Sequence, residues 1–248
     1  MNEQSLTHPQ HSLSKSFVLH VVPGILVTIS FVLLKSIPDS IGFPPLLAFL
    51  LVILFIDIPV LLGIMFYEGK KQNGKLSLQG IVLYREKISW GMFTLIFVGA
   101  FAAVYLLITL ITPVNAYISE ILFSGLPKWI FLEEQSQYLA YAKNILVITF
   151  VIQLVLTGII LPWVEELYFR GYLLPRISRF KWMAPIISGL FFGLYHSWQP
   201  FGFLTVFLLG AALSYIVMWK RDIRLSIGLH VFANAFARLA FLMVALTM

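Results

Sequence analysis

The apolar positions of this chain fall in long blocks, and the polar positions fall in the short gaps between them. Seven blocks are long enough, or nearly so, to cross a bilayer, which takes about 20 residues of helix. They run roughly over 16–34, 43–67, 88–112, 144–175, 182–197, 201–219 and 225–247. The blocks are continuous rather than alternating, which predicts helices and not an outer-membrane barrel. The fifth block is short and stops at "HSWQP", where Pro200 starts a turn, so it is expected to be a partial or tilted span. Residues 113–143 are mixed, with Trp129, Tyr138 and Tyr141 among apolar positions. They read as an interfacial or re-entrant piece, with an eighth crossing as the alternative. The expectation is an all-α integral membrane protein, one polytopic domain over 1–248, with no internal repeat or linker.

Composition agrees. Asp, Glu, Lys and Arg make up 11% of the 248 residues, against about 25% in a soluble domain; mean hydropathy is +0.92. There is no cysteine, which excludes disulfides, thiolate metal ligands and a Cys nucleophile. The N-terminal stretch "MNEQSLTHPQHSLSKS" is polar and has no cleavable-signal pattern, so the first block is expected to be a retained span.

The net charge of +6 sorts by loop and points to topology rather than to nucleic acid. Lys15; Lys70, Lys71, Lys75, Arg85 and Lys87; Arg176, Arg179 and Lys181; and Lys220, Arg221 and Arg224 fall on one side of the predicted spans. The other side has Lys35, Lys128 and Lys143. Twelve against three predicts a cytoplasmic N-terminus and, with seven spans, an external C-terminus. A prokaryotic cell membrane is the expected location.

Ionisable residues inside spans are costly and mark a function or a partner. Here they are His20, Asp57, Glu165, Glu166, Arg170, His196, His230 and Arg238, with Asn234 as a polar companion. His20 lies near a span end, and Asp57 precedes Pro59, where it is expected to cap a broken helix. The others converge. At a rise of about 1.5 Å per residue, Glu165 lies roughly 16 Å inside Arg176, and His196 roughly 22 Å inside Lys181. His230 and Asn234 lie roughly 9 and 15 Å inside Arg224. Three spans thus bring an acid, two imidazoles and an amide to overlapping depths, counted from the side expected to be cytoplasmic. Interhelical hydrogen bonding would account for any one of them; four together point to a site.

Helical spacing assigns faces. Glu166 and Arg170 are four apart and can pair, which turns Glu165 about 100° away toward a cavity. Pro162 removes the partner of the Gly158 carbonyl and predicts a kink above the acids. Phe192 shares a face with His196, and His230 with Asn234; Ser226 and Arg238 extend the latter stripe.

The chain has no HExxH, no G-x-S-x-G, and none of the short glycine motifs of rhomboid or presenilin proteases. What remains is a carboxylate with imidazoles. Such a set activates water directly, with Glu165 as base and His or Asn donors holding an oxyanion. Alternatively, Glu165, His196 and His230 bind zinc. Zinc is disfavoured because no short-spaced histidine pair preforms a shell and because Asn234 suits an oxyanion hole better.

"EELYFRG", "FGLYH" and "HVFANA" match the patterns EExxxR, FxxxH and HxxxN in that order. Over about 155–240 the chain resembles the CAAX prenyl protease and bacteriocin-processing (Abi) family of intramembrane proteases. The resemblance implies an endopeptidase that cuts peptide bonds near the cytoplasmic membrane face, on a peptide or protein substrate that is lipidated in the eukaryotic members. By that resemblance Glu165 activates water with His196 as partner, and His230 and Asn234 polarise the carbonyl. Glu166, Arg170 and Phe192 support them, and no cofactor is favoured. The rival readings are a proton- or ion-coupled transporter and a non-catalytic immunity or scaffold protein.

Overall fold

A computed structural model describes residues 9–132 and 135–248. Residues 1–8 of the polar N-terminus, and Glu133 and Glu134 within the mixed segment, lie outside the described residues. Among the described residues six helices are long and apolar enough to span a membrane: α1 (Leu13–Asp39), α2 (Leu46–Asn73), α3 (Trp90–Phe123), α4 (Lys143–Phe180), α6 (Pro200–Lys220) and α7 (Arg224–Thr247). Between α4 and α6 lies the shorter apolar helix α5 (Met183–Tyr195). The described residues contain no strand, only an isolated bridge between Arg85 and Asp222.

The seven blocks of the sequence therefore become seven helices. The mixed segment divides. Its first third continues α3 to Phe123, and the described residues of 124–142 form turns with two short 3₁₀ pieces, Lys128–Ile130 and Gln135–Tyr138. No eighth crossing forms among the described residues, because the apolar run breaks at Gly125 and Pro127.

α4 is the scaffold of the protein, and it is not a plain α-helix. Leu154–Ile160 and Glu166–Leu173 are π-helical, as is Ile53–Asp57 in α2. The cause is local and repeats three times. Ile58, Leu161 and Leu174 each bond the carbonyl five residues back, and each is followed by a proline: Pro59, Pro162 and Pro175. A proline ring crowds the carbonyl four residues before it, and one widened turn moves that carbonyl aside. The kink expected at Pro162 is thus a widened turn.

Small residues set the closest approaches. A Cβ on Gly24 of α1 would stand 1.8 Å from the Tyr195 carbonyl oxygen, and one on Gly189 of α5 would stand 2.5 Å from the Ala211 nitrogen of α6. α1 and α6 therefore clamp α5 from two sides, backbone to backbone.

The two ends of the bundle differ. At the basic end the loops are stitched to the helices. Leu83 N donates to the Gly171 carbonyl at 2.9 Å, Ile223 N to Tyr84 at 2.8 Å, and His11 N to Arg176 at 2.8 Å. Beneath them α4 is sealed, since Tyr168–Ser178 is buried throughout. At the other end Tyr141 Oη donates to Asp39 at 2.8 Å, Lys143 Nζ to the Leu246 carbonyl at 2.7 Å, and Phe131 stacks on Phe201. α3 has no buried residue. It leans on α7 through Phe97 and Phe101 against Phe232, and on α6 through a hydrogen bond from Asn115 to Thr205.

Candidate active site

Glu165 and Glu166 are adjacent, and the helix turns them to different partners. Glu166 is fully buried, and its Oε1 accepts from Arg170 Nη1 at 3.0 Å, four residues on, as the spacing predicts. Arg170 Nη2 also donates to the Gly210 carbonyl at 3.2 Å, and the guanidinium lies 4.2 Å over the Phe192 ring. Phe192 is therefore a lid on a buried ion pair. Glu165 faces a cavity of ≈ 160 Å³ that is also lined by Phe192, His196, His230, Asn234 and Arg238. That is room for several waters, each of which takes about 30 Å³.

Both imidazoles turn Nε2 toward the Glu165 carboxyl, His196 at 3.9 Å and His230 at 3.8 Å. Their other nitrogens are committed. His196 sits just past the end of α5, and its Nδ1 meets the Phe192 carbonyl at 2.9 Å. His230 Nδ1 meets Glu166 Oε1 at 2.8 Å. A carbonyl or a carboxylate can only accept, so each Nδ1 carries a proton and each Nε2 is left to the cavity. Asn234, one turn beyond His230, donates to the Thr157 carbonyl at a long 3.4 Å. Ser226, at the head of that stripe, donates to the Ile223 carbonyl and does not line the cavity.

Two ligands of a tetrahedral zinc at about 2.1 Å stand about 3.4 Å apart, less than the separations here. Among the described residues no group of three His, Asp or Glu is disposed to hold a metal.

Two residues were read from sequence as structural. His20 fits that reading, bonded to the Ser16 carbonyl at 2.7 Å and packed between Phe169 and Phe191. Asp57 does not cap a helix. Its Oδ2 accepts from Tyr195 Oη at 2.5 Å, and the backbone runs through it as continuous helix. Sequence reasoning also missed Gln153 and Trp198, which line the cavity. Gln153 lies twelve residues before Glu165, and the four-residue spacing 153, 157, 161, 165 was the available signal.

The expected approach from the basic end is not what the structure has. Ile130, Leu132 and Gln199 from the loops at the opposite end, and Phe201 in the first turn of α6, line the cavity. No residue of the basic loops lines it. Counting residues from Arg176 gave the depth of Glu165, but it could not show that buried α4 residues wall it off on that side.

Residues 147–236 match the family model described as Rce1-like, a type II CAAX prenyl endopeptidase. No curated protein and no solved structure matches the chain. The matched stretch contains Glu165, Glu166, Arg170, Phe192, His196, His230 and Asn234, the residues gathered around the cavity and its buried ion pair. Through this stretch, a little over a third of the chain, the protein is similar to the type II CAAX prenyl endopeptidases that the family model describes.

Proposed function

We propose that the protein is an intramembrane endopeptidase in which Glu165 activates a water for attack on a peptide carbonyl. The observation that carries this reading is the convergence of two Nε2 atoms on one buried carboxyl, each imidazole fixed from behind by its Nδ1. A water between these groups gives one hydrogen to Glu165 and one to His196 Nε2. As its oxygen bonds to the carbonyl carbon, Glu165 takes the proton. The Asn234 amide and His230, as an imidazolium that carries a second proton on Nε2 beside the one on Nδ1, donate to the developing oxyanion. The C–N bond then breaks, and the leaving amine takes the proton from Glu165. Water is consumed, and an acid and an amine are released.

The substrate is a peptide or protein, lipidated or not, that reaches the cavity within the bilayer. We place the basic end in the cytoplasm on the Lys and Arg asymmetry, in a prokaryotic cell membrane. No step passes through a metal ion.

Purified protein incubated with a peptide library, prenylated and not, tests the reading. Glu165→Gln is expected to lower the rate on the order of 10²–10⁴-fold with an unchanged melting temperature. Wild-type turnover in that variant would overturn the role of Glu165. Activity is expected to survive chelation; stoichiometric zinc whose removal abolishes activity and whose return restores it would make Glu165, His196 and His230 ligands instead.

A further inference from the structure

On the side of Glu165 away from the cavity lie two groups that the sequence motifs do not include. Asp57 of α2 is 1% exposed and Tyr195 of α5 is 0% exposed, and neither lines the cavity. The Tyr195 hydroxyl meets Asp57 Oδ2 at 2.5 Å and also lies beside the Glu165 carboxyl. Two carboxyl groups from different helices therefore flank one phenol.

A phenol has a single proton and can serve one carboxylate with it. If it bonds to both carboxyls, the second contact takes its proton from a carboxylic acid. Charge balance points the same way. Arg170 is bound to Glu166 and to a backbone carbonyl. The other group facing Asp57 is Tyr168 of α4, whose hydroxyl donates to the Leu19 carbonyl at 2.7 Å. Asp57 Oδ1 and Glu165 Oε1 have no hydrogen-bond partner among the described residues. Two full anions here would be buried with their acceptor capacity unmet, which is costly.

We propose that Asp57 and Glu165 share one proton through Tyr195. Asp57 holds it as a carboxylic acid and donates to the phenol oxygen, and the Tyr195 hydroxyl turns its own proton to Glu165. Glu165 then keeps the negative charge and presents its other oxygen to the cavity. Asp57 and Tyr195 are positioning residues, and their role rests on Glu165 being the base. No proton is gained or lost in the exchange; two hydrogen bonds change direction.

The test uses the purified full chain in detergent, with steady-state kinetics and infrared spectroscopy of the carboxylic acid C=O stretch. An asparagine amide donates to the phenol oxygen as a carboxylic acid would. Asp57→Asn is therefore expected to keep kcat within about threefold of wild type while removing the acid band. Tyr195→Phe and Asp57→Leu break the chain of donors. Each is expected to lower kcat by ~10–100-fold, the worth of a hydrogen bond to a charged group, with KM held. An Asp57→Asn variant that folds but loses as much kcat as Asp57→Leu would overturn the proposal, as would an acid band that persists in it. Glu165→Gln separates the two readings. Full turnover in that variant sinks Glu165 as base, while the infrared band of the wild-type chain, assigned by its loss in Asp57→Asn, still reports whether Asp57 carries the proton.

Discussion

Glu166 holds His230 by the ring, Oε1 to Nδ1 at 2.8 Å, with the oxygen that also takes Arg170. The second acid of the pair therefore orients an imidazole as well as balancing a guanidinium. Glu166→Gln removes the charge that keeps the His230 proton on Nδ1. It is expected to lower kcat on the order of 10²-fold or more, as loss of an orienting carboxylate does in other histidine sites. In a double-mutant cycle, Glu166→Gln is expected to add little to the loss caused by His230→Ala. Additive losses would show that the two act separately.

Removing Arg170 leaves Glu166 buried without its strongest partner, and it also takes the cation from beneath Phe192. Arg170→Ala is expected to cost roughly 3–5 kcal/mol of stability, so folding should suffer at least as much as turnover. A melting temperature in detergent equal to that of wild type would contradict this.

The two ends of the bundle give a direct test of orientation, since the native chain has no cysteine. Asn73 is exposed at the basic end and Ser40 at the other. A cysteine at position 73 should react only with a membrane-permeant reagent in intact cells, and one at position 40 with an impermeant reagent as well. The reverse pattern would place the cavity's loops in the cytoplasm.

His11 lies just before α1, 4% exposed against Tyr172, where its backbone ties the N-terminal segment to Arg176. Burial, with the nearby charges of Lys15 and Arg176, lowers its pKa from 6.5 to about 4. The unfolded chain thus binds this proton more readily than the folded one. The contribution of His11 is full above pH 6.5 and is lost as pH falls through about 4. The melting temperature should decline across that interval, and His11→Gln should flatten the decline. An identical pH dependence in the variant would remove His11 as the cause.

Much of the fold is legible in the sequence, because block length in a bilayer leaves few choices. Glu165, Glu166 and Arg170 could be assigned to faces because helical spacing of four holds for that pair. Asp57 was misread because an acid before a proline looks like a cap. Only the packing of α2 against α5 shows that its partner is Tyr195, 138 residues away. The wall between the site and the basic loops was equally out of reach, since a residue count along one helix says nothing about what fills the space beside it. The extension of α3 to Phe123 was missed because residues 113–143 read as one mixed segment, and its Pro113 and Asn115 in fact lie within the helix.

The widened turns of α4 decide which side chains face the cavity. In a regular α-helix each residue turns about 100°, so positions four apart drift by ~40° per step and ~120° over three steps. Gln153, Thr157, Leu161 and Glu165 nonetheless line one cavity. The widened stretch Leu154–Ile160 lies between the first and the last of them and takes up part of that drift. A stripe of fixed composition, amide, hydroxyl, methyls and acid, thus runs straight down one wall. Deleting one residue from that stretch would swing Gln153 away from the cavity and leave Glu165 in place. On the proposed reading, substrate register and chemistry are set by separate halves of a single helix.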